Sequence, residues 1–91
     1  MRESTVEKYL HKQVVKAGGW TYKFKSPGRR NVPDRIVIWP AQVDMAECKA
    51  PGKKPRAGQV REHKRLTTFN IDVFVLDTKE KIDRYVVEVG R

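Results

Sequence analysis

The stretch Ile71 to Leu76 (IDVFVL) is apolar at every position but Asp72. A strand of that kind is expected where both faces of a sheet are covered. Its cover has to come from helices, and the chain holds candidates on either side. Val6, Leu10, Val14 and Ala17 recur at i, i+4, i+8 and i+11, which predicts a helix over 4–17 stopped by Gly18-Gly19. Asp77 with Glu80 three residues on reads as a capping box opening a last helix, with Ile82, Tyr85, Val86 and Val89 on one stripe.

Between these helices the pattern changes to period two. Trp20 to Lys25 (WTYKFK) alternates large apolar with polar residues and ends at Ser26-Pro27-Gly28, so a strand is expected. Trp20, Tyr22 and Phe24 share one face of it and are expected in the core. Asp34 to Trp39 (DRIVIW) and Val43 to Lys49 (VDMAECK) predict a hairpin about Pro40-Ala41. Lys49 to Arg56 (KAPGKKPR) is a loop, and Ala57 to Phe69 a mainly polar helix ending near Asn70. The order α-β-β-β-α-β-α predicts an α/β fold, a mixed central sheet flanked by helices, with residues 1–91 as one domain.

Charge narrows the partner. Twenty Lys and Arg against 11 Asp and Glu leave a net +9, which points to a polyanion. The surplus is local: 23–35 holds five basic residues and one acid, and 49–65 seven and one. These two regions flank the hairpin and would border its open end, a suitable arrangement for holding phosphates; a solvated basic surface is the plainer alternative. Arg29, Arg30, Lys53, Lys54 and Arg56 are the expected phosphate contacts as a group. The single Cys48 and two His lack zinc-site spacing, and a lone thiol fits a reducing cytoplasm. No apolar run approaches the roughly 20 residues that span a bilayer, and Met1-Arg2-Glu3-Ser4 does not lead into a signal-peptide core, so a protein that is neither exported nor membrane-bound is expected.

The hairpin carries the candidate chemistry. Glu47 and Lys49 lie two apart and leave the same strand face. With a two-residue turn at Pro40-Ala41, Asp34 falls opposite Glu47. Two carboxylates brought together repel, and a hard divalent cation such as magnesium, held by Asp34, Glu47 and the Cys48 carbonyl, is an economical answer. Such a site suits phosphodiester hydrolysis, with Lys49 orienting water or offsetting charge. The alternative is that Asp34 caps the loop and Glu47 and Lys49 form a surface ion pair. The thiol of Cys48 points to the opposite face and is expected to be buried and structural.

The sequence Gly28-Arg29-Arg30-Asn31-Val32-Pro33-Asp34-Arg35, then Glu47-Cys48-Lys49-Ala50-Pro51-Gly52, then Gln59, resembles the VRR-NUC family of the PD-(D/E)xK nucleases, in particular its short standalone phage and bacterial members. The resemblance runs from the first helix to the last. It implies a restriction-endonuclease-like core, a magnesium- or manganese-dependent nuclease activity, and a homodimer similar in layout to Holliday junction resolvases; the favoured reading is a structure-selective DNA endonuclease presenting two sites to a four-way junction. It further implies that Asp34 and Glu47 are the metal-binding acids, Lys49 the catalytic lysine and Gln59 the polar residue of the following helix. A first-helix glutamate also belongs to the pattern, and Glu7 is the choice, with Glu3 as fallback. Ser4-Thr5-Val6-Glu7 also reads as a capping box, which would give Glu7 a merely structural role. Asn31 stands where the family usually has Gly, and Asn is next best at accepting a left-handed backbone. His63, four residues after Gln59, receives no role. A non-catalytic basic binding module on the same scaffold is the competing reading; a nuclease acting on flaps or linear duplex is a third.

Overall fold

The computed structural model describes residues 1–90. Its elements are α1 (Glu3–Lys16), β1 (Trp20–Lys23), β2 (Arg35–Trp39), β3 (Gln42–Cys48), α2 (Ala57–Thr67), β4 (Val73–Leu76) and α3 (Lys79–Val89). This is the expected order. The strands form one sheet in the order β1-β2-β3-β4, antiparallel for the first two pairings and parallel between β3 and β4. Trp39 pairs with Gln42, so Pro40-Ala41 is the two-residue turn that sets the hairpin register.

Side-chain alternation divides the sheet. Val37, Trp39, Ala46, Cys48 and Leu76 pack with Val6, Leu10 and Val14 of α1 and Ile82 and Tyr85 of α3. Gly18 at φ +99° ends α1, in keeping with its sequence. Gly19 then runs tight against the turn end of the hairpin, where a Cβ would lie 2.7 Å from the Ile38 carbonyl oxygen and 2.8 Å from the Trp39 ring. Trp39 is buried here, its Nε1–H donating to the Tyr85 hydroxyl at 2.9 Å. That hydroxyl donates to Asp44 Oδ2 at 2.7 Å, and Gln42 Nε2 supplies Oδ1. A buried carboxylate in mid-strand is thereby satisfied on both oxygens.

Three local expectations are corrected. β4 is an edge strand: Val73, Phe74 and Val75 are only half-buried, and the strand with neighbours on both sides and five consecutive buried residues is β3. Trp20 and Tyr22 are exposed on the outer strand, where Trp20 meets α1 only through an edge-to-face contact with His11 at 4.7 Å. Thr78, not Asp77, caps α3, accepting from the Lys81 N–H at 3.1 Å. Asp77 instead accepts from Gly52 N–H at 3.2 Å and pairs with Lys81 at 2.8 Å, tying the 49–56 loop to the end of β4. Among the described residues no helix is long and apolar enough to cross a membrane.

Candidate active site

At the open end of the hairpin the register carries one step past the pair Arg35–Ala46, setting Asp34 opposite Glu47. Pro33 is buried before it, and Asp34 Oδ2 accepts from the Cys48 N–H at 2.9 Å, so the acid is fixed to β3 beside Glu47. Glu47 and Lys49 do share a face, with Lys49 Nζ 3.4 Å from Glu47 Oε2 and both side chains largely buried. The Lys49 backbone is pinned by its N–H donating to the Leu76 carbonyl at 3.1 Å. The ion pair that the sequence allowed to lie at the surface is therefore a buried one.

The first turn of α2 closes the arrangement. Gln59 Oε1 accepts from the Arg56 N–H at 2.9 Å, which fixes the side chain at the helix start, and its Nε2 donates to Glu47 Oε2 at 3.0 Å. One helical turn later His63 places Nε2 3.6 Å from Glu47 Oε1. The spacing from Gln59 to His63 is visible in the sequence; the rotation of α2 that turns both toward β3 is not. Burial, with neighbouring Asp34 next, pushes the Glu47 carboxyl above its ordinary range, and Lys49 pulls it back down. Burial likewise lowers the His63 imidazole, so it faces Glu47 uncharged at neutral pH. The buried Cys48 thiol is pushed up, which removes it as a nucleophile and fits its core position.

Glu47 Oε1 is buried with no hydrogen-bond partner. A lone carboxylate oxygen in that state, next to a second carboxylate, is the donor set a hard divalent cation takes, with water filling the remaining positions. The chemistry of Asp34 and Glu47 suits such an ion, although among the described residues no three His, Cys, Asp or Glu side chains gather around one point.

The first-helix acids divide. α1 is capped at Arg2 without any side-chain cap, so the capping box at Ser4 to Glu7 does not form. Glu7 is buried on the α1 side of the sheet, accepting from Arg35 Nε at 3.2 Å with Lys23 Nζ at 4.0 Å. Glu3, one turn earlier, is the acid whose carboxyl is raised first by burial and then by Asp34. The structure thus brings Asp34, Glu47, Lys49 and Gln59 together and sets Glu7 on the arginine behind them.

Of the basic residues, Arg29 and Arg56 line one cavity of about 350 Å³ with Asp34 and Gln59. Arg30 lies in a neighbouring cleft, and Lys53 and Lys54 are exposed on the loop between β3 and α2. Asn31 has φ +67°, the left-handed conformation its place in the loop required.

The chain is 51% identical over 81 residues to a protein named "Putative nuclease p44" of Acyrthosiphon pisum secondary endosymbiont phage 1, covering 88% of this chain and 87% of that one. A solved structure described as a VRR_NUC domain superposes with a TM-score of 0.86 at 28% identity, over 96% of both chains. No family sequence profile matches. Together with the acids, lysine and glutamine gathered at the hairpin's open end, these likenesses identify the fold and its lineage: the chain belongs to the VRR-NUC nuclease family.

Proposed function

We propose that this nuclease is a magnesium- or manganese-dependent DNA endonuclease that acts as a homodimer on branched DNA, in the manner of a Holliday junction resolvase, with residues 1–91 forming one catalytic domain. The observation that carries the reading is Glu47. It is a buried carboxylate beside Lys49, met by Asp34 and Gln59 from other parts of the chain, and one of its oxygens makes no hydrogen bond. A module that only bound DNA would gain nothing from two acids placed where a phosphate must sit.

In this reading Asp34, Glu47 and the Cys48 carbonyl hold the cation. When bound, it supplies Lewis acidity toward the scissile phosphate and makes water a stronger acid. Water attacks phosphorus, the phosphodiester P–O bond breaks, and the water's proton ends on the departing oxygen or in solvent. Lys49 orients the attacking water and offsets the charge that builds on the phosphoryl oxygens. Gln59 keeps Glu47 in place. An acid of α1, Glu7 or Glu3, completes the set, Glu7 by holding Arg35 and Glu3 by its proximity to Asp34. Arg29, Arg30, Lys53, Lys54 and Arg56 hold the flanking phosphates. Two copies would present two sites to a symmetric junction, and the exposed Trp20, Tyr22 and Val43 on the uncovered sheet face offer apolar surface for pairing. The phage relative is in line with work in the cytoplasm of a bacterial or phage-infected cell.

The test is cleavage of a labelled four-way junction beside a flap and a linear duplex, by wild type and Asp34→Ala, in magnesium, manganese and EDTA. Paired cuts in the junction that need metal and vanish in the variant are expected. Cuts mainly in the flap or duplex keep the chemistry and discard the resolvase role. Equal binding by both proteins with no cleavage in either metal would hand the site to the binding-module reading.

A further inference from the structure

Beside the candidate site, between the Gly28–Asn31 loop and α2, lies a cleft of about 530 Å³. Arg29, Arg30, Arg61 and Arg65 line it, and Glu62 is its single acid. Glu62 is buried, with a side chain only 5% exposed, and it holds two of the four guanidiniums: Arg29 Nε donates to Oε1 at 2.8 Å, and Arg65 Nη1 lies 3.6 Å from Oε2. Among the described residues Arg30 and Arg61 make no ion pair. Four guanidiniums against one carboxylate that is already shared leave the cleft a surplus of three positive charges.

The cleft borders the site: Arg29 and Asn31 line both it and the cavity that reaches Asp34 and Gln59. A Cβ on Gly58 would lie 2.6 Å from the Asn31 amide nitrogen, so that side chain would have to move, whereas at Gly28 the space beside the backbone is open.

We infer that this cleft is a seat for a backbone phosphate of the DNA strand being cut, beyond the scissile one, formed by Arg30, Arg61 and Arg65, with Glu62 as the positioning residue that sets Arg29 and Arg65. The inference rests on the nuclease reading for the identity of its ligand. Guanidiniums pair with phosphate oxygens through two parallel N–H bonds, and a buried carboxylate behind them fixes the planes beforehand, which reduces the ordering cost of binding. The seat would set strand register at the site without reading sequence.

Binding of a labelled four-way junction is measured by fluorescence anisotropy in EDTA, across a series of potassium chloride concentrations. Arg61→Ala is expected to weaken binding about tenfold and to reduce the salt slope by about one. Lys16→Ala, which removes the same charge at the far end of α1, stays within about twofold of wild type with an unchanged slope. Glu62→Ala discriminates by sign. If Glu62 were only a stray negative charge, its removal would tighten DNA binding; a positioning residue weakens it, and circular dichroism checks that the fold is intact. Arg61→Ala behaving like Lys16→Ala, or wild type failing to bind, overturns the seat, and tighter binding by Glu62→Ala overturns the positioning role. A failure of the nuclease reading shows elsewhere, as absence of cleavage by wild type in either metal while these binding differences persist.

Discussion

Along β3, Ala46 and Cys48 point toward α1 and α3 and are buried among Leu10, Val14 and Ile82, while Glu47 between them points the other way, to Lys49, Gln59 and His63. On the first side the polar groups buried in the core are answered: Asp44 has two donors, and Trp39 and Tyr85 have each other. On the second side two buried atoms, Glu47 Oε1 and His63 Nε2, face each other at 3.6 Å and neither makes a hydrogen bond. The helices explain the difference. Two apolar stripes close one face, whereas α2 buries Gln59 and Glu62 and leaves Trp20, Tyr22 and Val43 to solvent. Stability is concentrated on one face, and unsatisfied, chemically competent groups on the other, an arrangement expected where a site is held by a scaffold that does not depend on it.

This division fails if the helix-covered face does not dominate stability. Leu10→Ala removes a fully buried side chain and is expected to cost about 2–5 kcal/mol. Denaturant unfolding reads this, with cleavage per folded molecule preserved. Tyr85→Phe is next: it deletes the hydroxyl that serves Trp39 and Asp44 and leaves both buried groups short of a partner, for about 1–3 kcal/mol. A neutral result there would mean that water enters that face.

On the opposite face the expected effect is smaller and of the other sign. Because the Glu47 carboxyl is raised in the folded protein above its ordinary 4.5, the native state binds more protons than the unfolded one above that pH. Stability in EDTA therefore falls as pH rises from about 4.5 toward neutrality. Glu47→Gln should remove that dependence and gain about 1 kcal/mol at pH 7. Adding manganese should raise the melting temperature of wild type and leave that of Glu47→Gln nearly unmoved. Melting curves at several pH values, with and without the ion, check all three statements.

Local chemistry makes much of this readable from residue order. Pro40-Ala41 fixes the turn length, and counting outward from it sets Asp34 against Glu47 from residue numbers alone. The Gly18 stop and the left-handed Asn31 follow from backbone sterics. What fails depends on position in the sheet, which no local pattern encodes. IDVFVL reads as buried on both faces yet lies half-buried at an edge, and the strand with the most consecutive buried residues, β3, looks polar because Asp44 and Glu47 find their partners 41 and 12 residues away. Alternation shows that Trp20 and Tyr22 share a face but not which face is covered. Asp77 and Thr78 are equally able to cap α3, and the loop at Gly52 claims the aspartate. Glu62 gives no local signal, since its meaning comes from Arg29, 33 residues earlier.

Lys49→Ala puts the separation of chemistry on the α2 face from stability on the other at greatest risk, with cleavage rate and thermal midpoint measured on one preparation in manganese. The rate should drop by on the order of a thousandfold, with a midpoint that moves far less than in Leu10→Ala. Cleavage at the wild-type rate, or a loss of activity matched by unfolding, would refute that separation.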